Sequence, residues 1–475
     1  MKPVLKFLSE LEIQNIHQSA MDILARVGMR FPLEEALELL KKHGAACRDC
    51  DVVRIPPELV ERAIRYAPKR EEVILYGREQ KNDVRFGDHD PAIACMTMAT
   101  HVIDPVSGQR RPATTTDLRN LTRMADALET ICVNGGLVTP QDVPAQFNDW
   151  YTWAICLVNT SKHITGGFYG TRCVADAVRM AEAVIGDREQ FKLRPFISGW
   201  ALTLPPLQID SHSLGALMEM SRRKIPAMVS SGPIMGVSSP VTIEGTIAQA
   251  HAEILGCLVV SQLVNSGAPF VYTSFARGMD MKTSNVTMAS PEFSILKAAL
   301  SQMGRFLGLP IRMPGMLRDA KTLDAQAGFE TALVGVAAAL TADLVDAGQL
   351  DSDLLVDYAD LVFCNECMGA LRRLARPVDV NENTLAMDVI SAVGHGGSFL
   401  GHEHTYKNFR RELWQPKIME HRSWNKWESA GSQDIRVVAL RRVDEILESH
   451  PGYVISPKAQ GEIDSILNEL VVQAI

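Results

Sequence analysis

Short apolar runs that end in small residues recur along this chain at intervals long enough for a strand, a helix and two loops. The runs are ICVNGG from 131, HITGG from 163, FISGW from 196, AMVSSG from 227, FVYTSF from 270, IRMPG from 311 and LVDAG from 344, spaced 32, 33, 31, 43, 41 and 33 residues apart. Helical patterns fill the intervals at Asp149 to Val158, Val174 to Ile185, His212 to Arg222, Ile243 to Leu263, Phe293 to Phe306 and Ala325 to Leu340, and a further one, Leu354 to Leu374, follows the last run. About 30 residues is what one βα unit occupies. Seven units, with an eighth strand at either Ala92–Thr97 or Val389–Val393, predict an α/β protein with a (β/α)8 TIM barrel. The alternative, an open doubly wound sheet, calls for a Gly-rich phosphate loop after its first strand; no GxGxxG or GxxxxGK[ST] is present there. The units share spacing but not sequence, which argues against a solenoid.

A bare barrel takes roughly 250 residues, and this chain has 475. Part of the surplus lies ahead of the barrel. Ser9 stands three residues before Glu12, a capping-box spacing, and Ile13, Ile16, Ala20, Ile23, Leu24 and Val27 recur at helical spacing up to Gly28. Two more amphipathic stretches follow, Leu33 to His43 and one between Pro56-Pro57 and Pro68. Residues 71 to 115 read as short strands and turns, with Asp104 to Gly108 the clearest turn. The expected organisation is a helical N-terminal domain at 1–90, the barrel at 91–393, and a C-terminal loop and helical extension at 394–475 packed on the barrel.

Charge narrows the function classes. With 48 basic and 56 acidic side chains and no Lys/Arg block, the chain lacks the electrostatic footprint of a general nucleic-acid binder. The longest small-apolar stretch, Ala332 to Leu340, is far short of the roughly 20 residues that span a bilayer, and no signal-peptide core precedes Glu10. Nine cysteines at irregular spacing fit reduced thiols, so a cytoplasmic protein is expected.

In a TIM barrel the chemistry sits at the C-terminal strand ends. Aromatic residues make up only 6% of this chain, yet Phe168, Tyr169, Trp200, Tyr272 and Phe275 all fall at predicted strand ends. Packed barrel interiors favour Val, Ile and Leu instead. Aromatic faces around a dry pocket hold a quaternary ammonium, which offers only diffuse charge; the competing reading packs these rings between barrel and helices. Asp346 ends the run Leu344-Val345 and is the candidate catalytic group, balancing a cation or orienting water. Arg312 is a candidate partner for a substrate carboxylate. Two CxxC pairs, Cys47/Cys50 and Cys364/Cys367, admit a four-thiolate zinc site only if two distant segments meet, and no metal site is assigned. His395, His402 and His404 lie among glycines in VGHGGSFLGHEHT and read as a shaped loop closing over a site rather than as ligands. No Ser-His-Asp order, nucleophile elbow or kinase signature is present.

The segments SSPVTIEGTIAQAHAEILGCLVVSQL (238–263), RDAKTLDAQAGFET (318–331) and GHGGSFLGHEHTYKNFRRELW (394–414) resemble the trimethylamine methyltransferase family, and the resemblance extends over nearly the whole chain. It implies a barrel that passes a methyl group from an amine to the Co(I) corrinoid of a separate protein. Founding members carry pyrrolysine in the barrel mouth; its lack here points to the branch acting on quaternary amines. Glycine betaine, giving dimethylglycine, is the expected substrate, with proline betaine, carnitine and γ-butyrobetaine as alternatives. Phe168, Trp200, Tyr272 and Phe275 then form the cage, with Tyr169 beside it, and Arg312 or His395 receives the carboxylate. No cofactor is bound permanently, the corrinoid (cobalamin) arriving on its carrier, and a homo-oligomer is expected. A zinc-dependent corrinoid:thiol methyltransferase and a non-catalytic betaine-binding protein are the competing classes.

Overall fold

The computed structural model describes residues 3–48, 51–87, 90–95, 99–453 and 455–473. Eight parallel strands close into a barrel: β1 (Ala92–Cys95), β2 (Ile131–Asn134), β3 (His163–Gly166), β4 (Ile197–Leu202), β5 (Ala227–Ser231), β6 (Phe270–Ser274), β7 (Ile311–Leu317) and β8 (Leu344–Gln349). Closure comes from β1, which pairs with both β8 and β2. The eighth strand is therefore the first in the chain, and Val389–Val393 belongs to a helix instead.

Each strand is followed by a helix: α4 (Thr115–Ala127), α5 (Asn148–Leu157), α6 (Gly170–Ile185) with α7 (Arg188–Leu193), α8 (Ser211–Arg222), α9 (Ile243–Val264), α10 (Pro291–Phe306), α11 (Ala325–Ala339) and α12 (Tyr358–Ala375). Side-chain caps set several of the starts: Thr114, Asp187, Asp210, Ser290, Asp324 and Asp357 each accept a first-turn N–H. The last helical pattern begins later than its periodicity implies. Leu355–Asp357 is extended because it pairs with His101–Ile103, the first arm of the hairpin turned by Asp104. Helix α9 is long and apolar enough to cross a membrane, but it is enclosed here, with α1 (Glu10–Asp22), α2 (Glu34–Lys42) and α3 (Pro57–Tyr66) lying against it.

The N-terminal block is not wholly helical. Met29–Arg30, Val52–Arg54 and Ala46–Arg48 form a small antiparallel sheet, and Ile74–Leu75 pairs with Val84–Arg85. That second hairpin plugs the N-terminal end of the barrel. Val73, Leu75, Val84 and Phe86 share one buried cluster with the inward-facing Ala92, Ala94, Val133, Met228, Val271 and Leu344. The plugged end directs any ligand to the opposite mouth.

Beyond Ala375 lie four short helices, α13 (Glu382–Leu385), α14 (Met387–Val393), α15 (Glu403–Glu412) and α16 (Trp424–Ser429), then α17 (Ile435–Ser449) against α12 and α4, and α18 (Pro457–Gln473) against α6 and α5. From Arg376 to Val438 no residue is buried.

Candidate active site

Period-two alternation along a strand decides which side chains enter the barrel. On β4 it points Ser198 and Trp200 inward, on β5 Met228 and Ser230, on β6 Val271 and Thr273, on β7 Arg312, and on β8 Leu344 and Asp346. Trp200 Nε1 donates to Thr165 Oγ1 at 2.9 Å, and that hydroxyl donates to Met228 Sδ at 3.5 Å, so the indole is fixed across the barrel. The Arg312 guanidinium lies on the indole face, its carbon 4.6 Å from the ring centroid. Its Nε donates to Asp346 Oδ1 at 2.6 Å. Arg312 and Asp346 are 2% and 0% exposed, so the pair is a desolvated charge-assisted contact stacked on an aromatic plane. Burial pushes the Asp346 carboxyl up, against the pull of Arg312 and Lys297.

Three more ionisable groups face this pair. Arg277, just beyond β6, donates from Nη1 to the carbonyls of Gly232 and Phe275. Lys297 reaches from α10 to the carbonyls of Ser274 at 2.8 Å and Ala276 at 2.6 Å, and burial drives its ammonium well below the usual lysine range. Asp353 follows β8 in a turn where Asp351, Ser352 and Asp353 all have positive φ, at 53°, 53° and 78°. Such backbone is unfavourable for L-residues and persists where surrounding contacts over-determine it. Here the turn is pinned to the loop after β7: Ser352 N–H donates to the Arg318 carbonyl, Asp351 N–H to that of Ala320, and Ser352 Oγ to Asp319. Burial, reinforced by Asp346, pushes the Asp353 carboxyl up to about 8, opposed by Arg277 and Arg312.

Buried polar atoms normally find partners. At this end of the barrel Ser230 Oγ, Thr273 Oγ1, Arg277 Nε, Arg312 Nη2, Asp346 Oδ2 and Asp353 Oδ1 do not. Unpartnered donors on two cations and unpartnered oxygens on two carboxylates thus lie within electrostatic reach of one another, the residue set of a candidate site for a polar ligand.

Of the residues expected from the sequence, Trp200, Arg312 and Asp346 converge, and the half-buried Phe275 packs against Trp200's cluster. Others are placed elsewhere. Phe168 stacks on Trp153, centroids 4.7 Å apart and planes within 9°, on the outer face of the barrel. It fills the space a Cβ on Gly199 would need, only 2.0 Å away, and Gly166 likewise admits Trp153. Those strand-end glycines serve helix-to-barrel packing rather than ligand access. Tyr272, between inward Val271 and Thr273, points outward into the core and meets His251 Nδ1 at 3.0 Å through its hydroxyl. Tyr169, 53% exposed, stacks on His212 at the start of α6. His395 is exposed, in a segment that leaves from the other end of the barrel: Arg372 bonds the Pro91 carbonyl ahead of β1, and Arg373 bonds Glu412.

Cys364 is buried in α12 beside Arg318 and Asp360, and Cys50 lies outside the described residues. Among the described residues no group of three His, Cys, Asp or Glu side chains is arranged to hold a metal ion. Asp353 and Lys297 are the site residues that the strand-end pattern does not reach, whereas Arg277 is one of its candidates. The signal for Asp353 is LDSD just past a barrel strand, a turn-forming run with an acid at its end.

The sequence profile of the trimethylamine methyltransferase (MTTB) family matches residues 1–473. The chain belongs to the trimethylamine methyltransferase family. It is similar to trimethylamine methyltransferase MttB of Desulfitobacterium hafniense (strain DSM 10664 / DCB-2), 32% identical over 97% of this chain and 93% of that one. It is similar as well to the glycine betaine methyltransferase of D. hafniense (strain Y51), 30% identical over 99% of this chain and 97% of that one. In fold it matches the hydroxylamine complex of MtmB, with a TM-score of 0.52 at 14% identity, covering 94% of this chain and 95% of that one. The (β/α)8 architecture and the family agree, and the chain is a methyltransferase of that family.

Proposed function

We propose that this methyltransferase moves a methyl group from glycine betaine to the Co(I) corrinoid of a separate carrier protein, leaving dimethylglycine. The observation that carries the substrate class is the mouth's double set of unpartnered atoms: guanidinium N–H groups on Arg312 and Arg277, and carboxylate oxygens on Asp346 and Asp353. A zwitterion satisfies both sets; trimethylamine, with no carboxylate, leaves the donors unmatched. Similarity to a relative named glycine betaine methyltransferase supports the same choice.

In this reading Arg312, steadied by Trp200 and Asp346, receives the substrate carboxylate, and the trimethylammonium faces Phe275 and the acidic side. A quaternary nitrogen is already a competent leaving group. As the Co(I) electron pair forms the new bond to carbon, the C–N pair returns to nitrogen and no proton moves, so the protein's task is orientation and charge placement. Asp346 acts as a positioning residue through Arg312. The corrinoid belongs to the carrier, and no cofactor is assigned to this chain.

A cytoplasmic location fits the free thiols of Cys95, Cys132, Cys156, Cys173, Cys257, Cys364 and Cys367. We also propose a homo-oligomer. Leu385, Met387, Ile390, Tyr406 and Trp424 on the short helices, and Val380, Phe399 and Leu400 beside them, are exposed in an arm with no buried residue, and helices so short do not hold in water unaided. That arm leaves from the end away from the mouth, where a carrier has no reason to dock, and its apolar character is that of a permanent interface.

Incubating the protein with a reduced corrinoid carrier and a panel of glycine betaine, proline betaine, carnitine, γ-butyrobetaine and trimethylamine tests the reading. Cobalt methylation by a betaine and none by trimethylamine is expected. Methylation by trimethylamine alone overturns the substrate.

A further inference from the structure

We infer that Asp353 is the specificity-determining residue that meets the quaternary ammonium and lets the enzyme tell a cation from its uncharged isostere. The inference rests on the betaine reading above and deepens it. Of the two carboxylates in the mouth, Asp346 is already committed: one oxygen holds Arg312, and the pair is stacked on Trp200. Asp353 has no such bond at Oδ1, is 6% exposed, and stands on a turn of three left-handed residues that its neighbours hold in place. An apolar or amide side chain there would spare the burial of a carboxyl with an unpartnered oxygen. A positively charged ligand gives that carboxyl a partner.

The groups facing Asp353 are Asp346 on β8, Arg312 on β7 and Arg277 after β6, with Lys297 of α10 behind them against Asp346 and Arg277. Burial and Asp346 hold Asp353 protonated at neutral pH, up to about 8. A bound ammonium favours the ionised form, so betaine binding expels the proton. Affinity then rises with pH up to that value and levels above it, by about tenfold per pH unit at the steepest.

The test uses 3,3-dimethylbutanoate, which replaces the quaternary nitrogen of glycine betaine with carbon and keeps its carboxylate. Calorimetric titrations at pH 6 to 9, in buffers of different ionisation enthalpy, are made on wild type and Asp353→Asn. Wild type is expected to bind glycine betaine more tightly as pH rises toward 8 and to release about one proton at pH 7; the isostere binds with neither effect. Asp353→Asn is expected to lose the proton release and at least about tenfold of betaine affinity at pH 9, while its affinity for the isostere, which reports an intact fold and carboxylate pocket, is unchanged. Retained betaine affinity or pH slope in Asp353→Asn overturns the inference and assigns the titration to Asp346 or Lys297. If wild type binds and demethylates no betaine, the substrate reading fails first and this inference falls with it.

Discussion

Arg312 occupies the indole face that the sequence reading reserved for the substrate's trimethylammonium, which changes what Trp200 does. The ring supports a guanidinium, and in the proposed reading that guanidinium receives the substrate carboxylate. Trp200→Ala should therefore raise KM for glycine betaine by freeing Arg312, with kcat less affected; an unaltered KM would return the ring to a packing role. Removing one partner of a buried ion pair leaves the other charge uncompensated, so Asp346→Asn should cost about 3–5 kcal/mol in urea unfolding. A loss below about 1 kcal/mol would show that the pair is solvated. The rings outside the barrel make the contrast: Phe168→Ala should cost about 3–5 kcal/mol, and its KM should stay at the wild-type value. Asp346 stands out in the sequence because an Asp ending an apolar run has few reasons to be there, and Trp200 and Arg312 stand out because a packed barrel interior favours Val, Ile and Leu. Phe168 and Tyr272 also stand at strand ends, but the in-and-out alternation that Arg312 and Asp346 define turns Tyr272 outward to His251, and Phe168 stacks on Trp153 outside the barrel.

At the level of elements, the seven runs read from residue 131 onward all became barrel strands, because each combines a buried apolar stretch with a small-residue stop. The least regular is β7. Pro314 cannot donate to the ladder, and the register with β8 shifts between Pro314 and Met316. Gly315 is required in that bulge: a Cβ would come within 2.4 Å of Val345 Cγ1 and 2.6 Å of Ala338 Cβ. Before the bulge Arg312 faces the mouth, and after it Arg318 faces outward to Asp360. Gly315→Ala should overpack this contact, lower stability by about 1–3 kcal/mol and weaken betaine binding, checked by urea unfolding and titration together. Wild-type values in both would show that the bulge plays no part in aiming Arg312. The turn at 351–353 is only half legible: LDSD marks a turn, but three consecutive left-handed non-glycine residues arise from the tertiary contacts to Arg318, Asp319 and Ala320.

At the scale of the molecule the two ends of the barrel have different jobs. One end is plugged by the 74–85 hairpin, and the other collects the charged groups. The glycines and histidines of the C-terminal arm look like a functional loop, but the path of α12 starts that arm at the plugged end. Its apolar surface predicts association: the protein should run as a stable oligomer in light scattering, and Leu400→Glu with Tyr406→Glu should dissociate it without unfolding the barrel. A monomeric wild type would remove that role for the arm. The central claim is methyl transfer from glycine betaine, and the direct measurement is a single turnover with substrate deuterated in its N-methyl groups. Stoichiometric conversion of the carrier's Co(I) to methyl-Co(III) is predicted, with label on cobalt and dimethylglycine released in equal amount. Unchanged Co(I) absorbance and no dimethylglycine, with a carrier shown to be active, would contradict it.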